Sequence, residues 1–252
     1  MIAALAAGLA DVLSDPRLPA LFGAVFMAGL IRGFSGFGAA MVFMPIASAL
    51  YSPPAAVAML AVTDTVITLP ITLAAMRRCR WPEIMPLTIG AAIMTPIGVK
   101  ALLYVDPGVM RIVISAMILA AVAAMATGWR YAGTPTRTVT VGVGALSGFA
   151  GGMAGLMGPP VILFWLGGQH DMLKVRDNIL AFFGIATIVT MTTYFLNDML
   201  TPERLTISAV LMPLYAVAIF LGARGLRYAT DALFRRLALV FCGAVAILAL
   251  VL

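Results

Sequence analysis

The residues of this chain that could do chemistry stand inside long apolar runs. Arg32 is the first of them. It sits in Gly29-Leu30-Ile31-Arg32-Gly33-Phe34-Ser35-Gly36-Phe37-Gly38, within an apolar stretch from Leu18 to Leu50 that holds no acid. A charge at the centre of a membrane helix costs roughly 2.5–3.5 kcal/mol on insertion scales, so this arginine needs a partner or a task. The glycines around it suggest one. They remove side chains, weaken the helix and let other atoms reach the backbone. A helix broken at Gly33, Gly36 and Gly38 exposes N–H groups beside a positive charge, which is a place for an anion. Ser35 adds a hydroxyl donor. Asp64, deep in the next apolar run, is the natural second charge. Its candidate roles are an ion pair with Arg32, a carrier for a coupling proton, and a ligand for a coupling cation such as sodium. Thr63 beside it could line a pathway, or bond back to its own helix.

The opening pattern returns in the second half. Gly144-Ala145-Leu146-Ser147-Gly148-Phe149-Ala150-Gly151-Gly152 matches Gly29–Phe37 at an offset of 115, and Pro160 matches Pro45 at the same offset. Gly98, Lys100, Leu102, Tyr104 and Arg111 match Gly222, Arg224, Leu226, Tyr228 and Arg235 at an offset of 124. Two copies of one design are expected, as in many transporter folds. Gly148, Gly151 and Gly152 would then face Gly33–Gly38 across the repeat interface and complete an anion site. The site would be asymmetric, because Ser147 stands opposite Arg32 and Ala150 opposite Ser35. The same glycines follow small-xxx-small spacing, which serves close helix packing in lipid. Asn178, at the start of a span, and His170, in a loop, are further candidates for the pathway.

Composition sets the elements that must position these groups. Of 252 residues, 63% are hydrophobic and 10% charged, with a mean hydropathy of +1.08. Soluble domains carry about 25% charged residues. The chain therefore reads as an all-α polytopic membrane protein, with the lipid bilayer as its main partner. The net charge of +6 lies in short clusters between apolar runs, as orienting charges do, so no nucleic-acid partner is expected. Cys79 and Cys242 lie in unlike surroundings, so neither a disulfide nor a metal site is expected, and no cofactor is implied.

Apolar spans are expected at Ala55–Met76, Glu83–Tyr104, Met110–Trp129, Asn178–Leu196, Leu205–Leu221 and Leu237–Leu252. The runs broken at Gly33–Gly38 and Gly148–Gly152 consist of pieces too short to cross singly. If each broken run crosses once, the two halves are parallel repeats. If each is a hairpin of two short helices, three full spans remain per half and the repeats are inverted. Positive charge decides. The inverted arrangement puts Arg77, Arg78, Arg80, Arg130, Arg137, Lys174, Arg176, Arg224, Arg227, Arg235 and Arg236 on one side, against Arg17, Lys100, Arg111 and Arg204 on the other. The parallel arrangement gives no such bias. The expectation is two inverted repeats, 1–133 and 134–252, each a short-helix hairpin plus three transmembrane helices. The basic loops would then be cytoplasmic.

An enzyme reading fails on chemistry. Gly33-Phe34-Ser35-Gly36 matches the GxSG motif of rhomboid intramembrane proteases, which need a histidine base on a neighbouring membrane helix. The single histidine is in a loop, and the second copy replaces the serine by alanine. There is no Walker A, HExxH or dinucleotide fingerprint.

The pattern Ile31–Gly38, Met44-Pro45 and Ala55–Asp64 resembles the TauE/SafE sulfite-exporter family of bacterial permeases. Arg80-Trp81-Pro82-Glu83, Pro96-Ile97-Gly98, Asp106-Pro107 and the repeat at Gly144–Pro160 fit it too, over nearly the whole chain. The resemblance implies a secondary transporter of sulfite, sulfonates or related small anions in a bacterial inner membrane. The reading adds alternating access by rocking one half against the other, a proton or sodium as coupling ion, and a homodimer as a possible assembly. A passive anion channel with the same filter is the alternative.

Overall fold

A computed structural model of the chain describes residues 12–127, 131, 136–165 and 172–225. His170 and the expected last span Leu237–Leu252 lie outside these residues. Among the described residues there are nine helices and no strand. They are α1 (Leu18–Ser35), α2 (Ala39–Leu50), α3 (Pro53–Met76), α4 (Trp81–Tyr104), α5 (Pro107–Ala126), α6 (Arg137–Ala154), α7 (Gly158–Trp165), α8 (Met172–Leu196) and α9 (Pro202–Gly225). Six of them are long and apolar enough to cross a membrane: α1, α3, α4, α5, α8 and α9.

Local chemistry sets the helix ends. Ser52 accepts from the N–H of Ala55, Asp106 from those of Gly108 and Val109, and Thr136 from that of Val139. Each side chain satisfies a donor that the first helical turn leaves orphaned. Pro19, Pro53, Pro82 and Pro107 stand in first turns, where a missing N–H costs nothing. The broken runs end differently. Gly36 closes α1 at φ 78°, Gly38 precedes α2 at φ 87°, and Gly155 closes α6 at φ 70°. These are left-handed conformations that a side chain would strain.

At each break the chain doubles back. Tyr51, just after α2, donates its phenol to Asp15 at 2.6 Å, and the Arg17 guanidinium donates to the Leu50 carbonyl at 3.3 Å. The end of α2 therefore lies at the start of α1. In the second copy the N–H of Tyr131, ahead of α6, donates to the Leu163 carbonyl of α7 at 3.1 Å. Both broken runs are hairpins. Their arms are unequal, 18 and 12 residues in the first and 18 and 8 in the second.

The base of the first hairpin carries a charge cluster. The Arg17 guanidinium bonds Asp15 at 2.9 Å and lies 4.0 Å over the Tyr51 ring. This pair holds the Asp15 carboxyl well below the usual carboxylate range. Burial and the bond to Asp15 push the Tyr51 phenol up to about 12, so it stays a donor. A carboxyl depressed in the folded state stabilises above its unfolded value, near 4, and that contribution is lost as pH falls towards the folded value. Because Arg17 is 45% exposed, solvent screening limits the pair to about 0.5–1 kcal/mol. Asp15→Asn is expected to lower the melting temperature slightly at pH 7, by a margin that shrinks below about pH 4. A margin that stays constant down to pH 3 would show that the pair contributes nothing through charge.

Packing between helices is set by glycine. A methyl group at Gly144, Gly148 or Gly152 of α6 would run into the backbone of Leu87, Ala91 or Thr95 on α4, and one at Gly98 into Phe149. On the other side of the molecule, Gly29 and Gly33 of α1 meet Tyr215 and Ile219 of α9, and Gly222 meets Leu30. Without Cβ atoms the backbones approach closely and gain dispersion contact.

These two contacts correct the repeat register. Gly29, Gly33 and Gly36 correspond in packing and in backbone conformation to Gly148, Gly152 and Gly155, an offset of 119. Their partners Tyr215, Ile219 and Gly222 correspond to Ala91, Thr95 and Gly98 at an offset of 124. The offset of 115 expected for the hairpins is one helical turn short. The reason is that glycines recur every three or four residues, so a one-turn slip still superposes glycine on glycine. Gly151, not Ser147, is the counterpart of Arg32, and Ala154 is that of Ser35. Pro45 and Pro160 do not correspond, being the seventh residue of α2 and the third of α7.

The same contacts interlock the halves. α4 packs along α6 and α8 of the second half and barely touches α3, while α9 packs along α1 and α3 of the first half. One blemish lies in the α4–α6 contact. Thr95 is fully buried, and among the described residues its hydroxyl has no hydrogen-bond partner. Leaving such a group unpaired costs about 1–3 kcal/mol. Thr95→Val, nearly isosteric, should raise the melting temperature. If it lowers it, the hydroxyl has a partner in the membrane that the packing does not account for.

Candidate functional site

Arg32 emerges from the last turn of α1 and points at α3. Its Nε and one terminal nitrogen donate to the two oxygens of Asp64 at 2.9 and 3.1 Å, a bidentate pair. Tyr215 of α9 donates its phenol to Asp64 at 2.7 Å. The other terminal nitrogen of Arg32 bonds the Gly36 carbonyl in the break. The Phe183 ring of α8 lies 5.8 Å from the guanidinium carbon. A guanidinium has five N–H groups, and these bonds use three of them. The Arg32 side chain is 10% exposed and that of Asp64 27%, so the carboxylate is the more accessible partner.

This cluster opens into a cavity of about 380 Å³. The two hairpin tips meet there. Phe37, Gly38, Ala39 and Ala40 line it from the first, and Gly151, Gly155, Met157 and Gly158 from the second. A Cβ at Gly158 would lie 3.2 Å from that of Phe37, and one at Gly155 would lie 3.3 Å from that of Ala40. The flanks of α3 and α8 complete the wall, with Thr65, Thr68, Thr187 and Thr190 among apolar side chains. The hydroxyls of Thr65, Thr68 and Thr190 donate to carbonyls four residues back and keep only lone pairs for the cavity. The helices starting at the two tips differ as donors. In α2 the Met41 N–H already donates to the Gly38 carbonyl at 3.1 Å, which leaves three first-turn N–H groups at most, whereas α7 carries Pro159 and Pro160 in its first turn.

A family model for the sulfite exporter TauE/SafE matches residues 21–249. The chain belongs to that family. TauE/SafE proteins are membrane transporters, not enzymes, and the family name specifies export of sulfite, a small anion. With its long apolar helices, the chain is a multi-pass membrane protein. No curated protein and no solved structure matches it.

The residues singled out from sequence divide sharply in this TauE/SafE member. Arg32, Gly38, Asp64 and Gly151 line the cavity. Gly33, Gly148 and Gly152 are packing contacts of α1 with α9 and of α6 with α4. Gly36 is the left-handed cap of α1. Ser35 is not a free donor. Its hydroxyl lies 2.7 Å from the Ile31 carbonyl and 2.6 Å from that of Phe37, so it ties the break together. Thr63 is fully buried and donates to the Met59 carbonyl at 2.8 Å. Asn178 is 1% exposed; it accepts from the Arg80 N–H and donates to Glu83, both at 2.8 Å. It pins the start of α4 to α8, away from the cavity, because α4 has no capping side chain of its own. His170 lies outside the described residues.

Three participants were not foreseen. Tyr215 reads as one more aromatic in an apolar helix, and only the α1–α9 packing brings it to Asp64. Phe183 likewise depends on how α8 crosses α3. Met157 fills the space over Gly151, where the first copy has Arg32. Gly155 had a local signal, a glycine at the end of a small-residue run, which the wrong register obscured.

Proposed function

We propose that this TauE/SafE member is a secondary transporter that carries a small anion across a bacterial inner membrane by alternating access. The cargo binds between the two hairpin tips. The observation that carries this reading is the Arg32–Asp64–Tyr215 cluster opening into the cavity where the tips meet. Arg32 lines the cavity, and the first turn of α2 brings its N–H groups and positive dipole end to the same space. An incoming anion competes with Asp64 for Arg32. A proton taken up by Asp64 removes that competition, which couples anion and proton in one site. Sodium is the weaker alternative, because Arg32 repels a cation beside Asp64.

The two halves, about 1–133 and 134–252, are read as inverted repeats. Support comes from the hairpins, each of which returns the chain to its starting side, so an odd number of crossings separates the copies. The eleven basic residues then gather on the cytoplasmic side. Rocking one half against the other is not the motion this packing favours, since it would part α1 from α9 and α6 from α4. The moving bodies are composite: α1, α2, α3 and α9 against α4, α6, α7 and α8. Arg32, Asp64 and Tyr215 all belong to the first body and stay together. The cavity lies between the two, where Gly184 of α8 meets Thr72 of α3.

Reconstituted in liposomes under an imposed proton gradient, the protein should accumulate anion uphill; a channel would only equilibrate it. A disulfide between Thr72→Cys and Gly184→Cys should arrest uptake until reductant is added. Full uptake by the cross-linked protein would refute the composite-body motion.

A further inference from the structure

We infer that the cargo is a singly charged organic anion with an apolar body, and that inorganic sulfite is a poor fit to this cavity. The inference rests on the reading that the cavity between the hairpin tips is the transport site.

Size is the first ground. Sulfite has four heavy atoms, while water occupies ~30 Å³ per molecule. An anion of that size displaces only a few waters from a space of about 380 Å³. Cavities of this volume suit organic ligands, which bury most of their surface against apolar walls. The walls are the second ground. Phe37 and Met157 come from the two tips, Leu60 from α3, and Phe183 and Met191 from α8. An inorganic oxyanion would leave these surfaces wetted, since it has no apolar body to set against them. Charge is the third ground. Among the described residues Arg32 is the only basic side chain on the cavity wall, and Asp64 already neutralises it. With Asp64 protonated, one negative charge is balanced. A dianion would leave a net charge in the low-dielectric interior, where its solvation loss is steep. Of the wall hydroxyls, those of Thr65, Thr68, Thr190 and Thr192 are turned to their own helices. The geometry therefore combines one anionic head-group position beside Arg32 with an apolar berth on Phe37, Met157, Leu60 and Phe183.

The test is a binding series on the purified full-length protein in detergent, read by calorimetry at fixed pH. The ligands are sulfite and methane-, ethane-, propane- and butanesulfonate, with butan-1-ol as the neutral control. Affinity should rise about three- to fourfold per methylene, so butanesulfonate should bind roughly 30-fold or more tighter than methanesulfonate. Sulfite should bind no better than methanesulfonate, and butan-1-ol should not bind. Met157→Ala, and independently Leu60→Ala, should reduce the gain per methylene. A flat or falling series, with sulfite the tightest ligand, overturns the inference and leaves the transport reading intact. Equal binding of butan-1-ol overturns it too, since the berth would not be tied to the charge. Binding of no anion at all, sulfite included, overturns both.

Discussion

Arg32→Ala is expected to abolish transport and also to weaken the fold. The variant leaves the Asp64 carboxylate with the Tyr215 phenol as its remaining side-chain partner, in a site facing the membrane interior. Removing one member of a fully buried pair costs about 3–5 kcal/mol, because the other charge stays uncompensated; the cost here is smaller, since Asp64 is 27% exposed. Asp64→Ala should be milder, since Arg32 keeps the Gly36 carbonyl and the Phe183 face. The double variant Arg32→Ala/Asp64→Ala removes both charges and should recover most of the melting temperature without recovering transport. Arg32→Lys keeps the charge but not the two-pronged bond, and should transport at a tenth of the wild-type rate or less. Thermal unfolding and uptake, measured together, separate structure from function. Wild-type uptake by Arg32→Ala would remove the proposed site; a double variant no more stable than Arg32→Ala would remove the pair.

Gly33→Ala and Gly152→Ala have comparable effects for a different reason. Each added methyl would overlap a backbone carbonyl, of Ile219 and Thr95 respectively. Backbone cannot swing aside as a side chain can, so the helices must separate along their length. Overpacking in a close-packed interior costs typically 1–3 kcal/mol and sometimes more, and here a whole helix pair shares the shift. Folded yield in detergent should fall severalfold for both. Gly23→Ala is the control, since nothing lies within 4 Å of its added methyl. It should be neutral or gain up to about 1 kcal/mol in helix preference. Equal yields for all three variants would show that the glycine seams do not hold the helices at this distance.

Much of the fold was legible because its causes are local. Apolar length marks the spans, prolines and capping side chains mark their starts, and positive-φ glycines mark the breaks. The helix breaks were also legible, from their glycines; segment length was a poor guide, since α1 at 18 residues is long enough to cross. The register of the repeat was not. A seam of glycines every fourth residue looks the same after a one-turn slip, and only the partners of those glycines, on α4 and α9, distinguish the alternatives. The side chains gathered at the candidate site were half legible for the same reason. Arg32 and Asp64 stand out as charges in apolar runs, which costs energy wherever they lie. Ser35, Gly33 and Asn178 belong to types that serve equally in packing or capping, and each is used that way. Tyr215 and Phe183 have no signal of their own. Their role depends on a helix crossing that joins residues far apart in the chain.

The interlocked seams also bear on how the protein is made. The surface that receives Gly33 belongs to Ile219, which leaves the ribosome long after the first hairpin. At 5–20 residues per second the delay is on the order of 10–40 s. Asp64 arrives early enough to neutralise Arg32, but Tyr215 and the docking face of α9 come almost last. Until then α1 waits in the membrane with its glycine seam against lipid or an insertase. A chain truncated before α9 would strand that seam permanently and present quality-control proteases with an incomplete molecule.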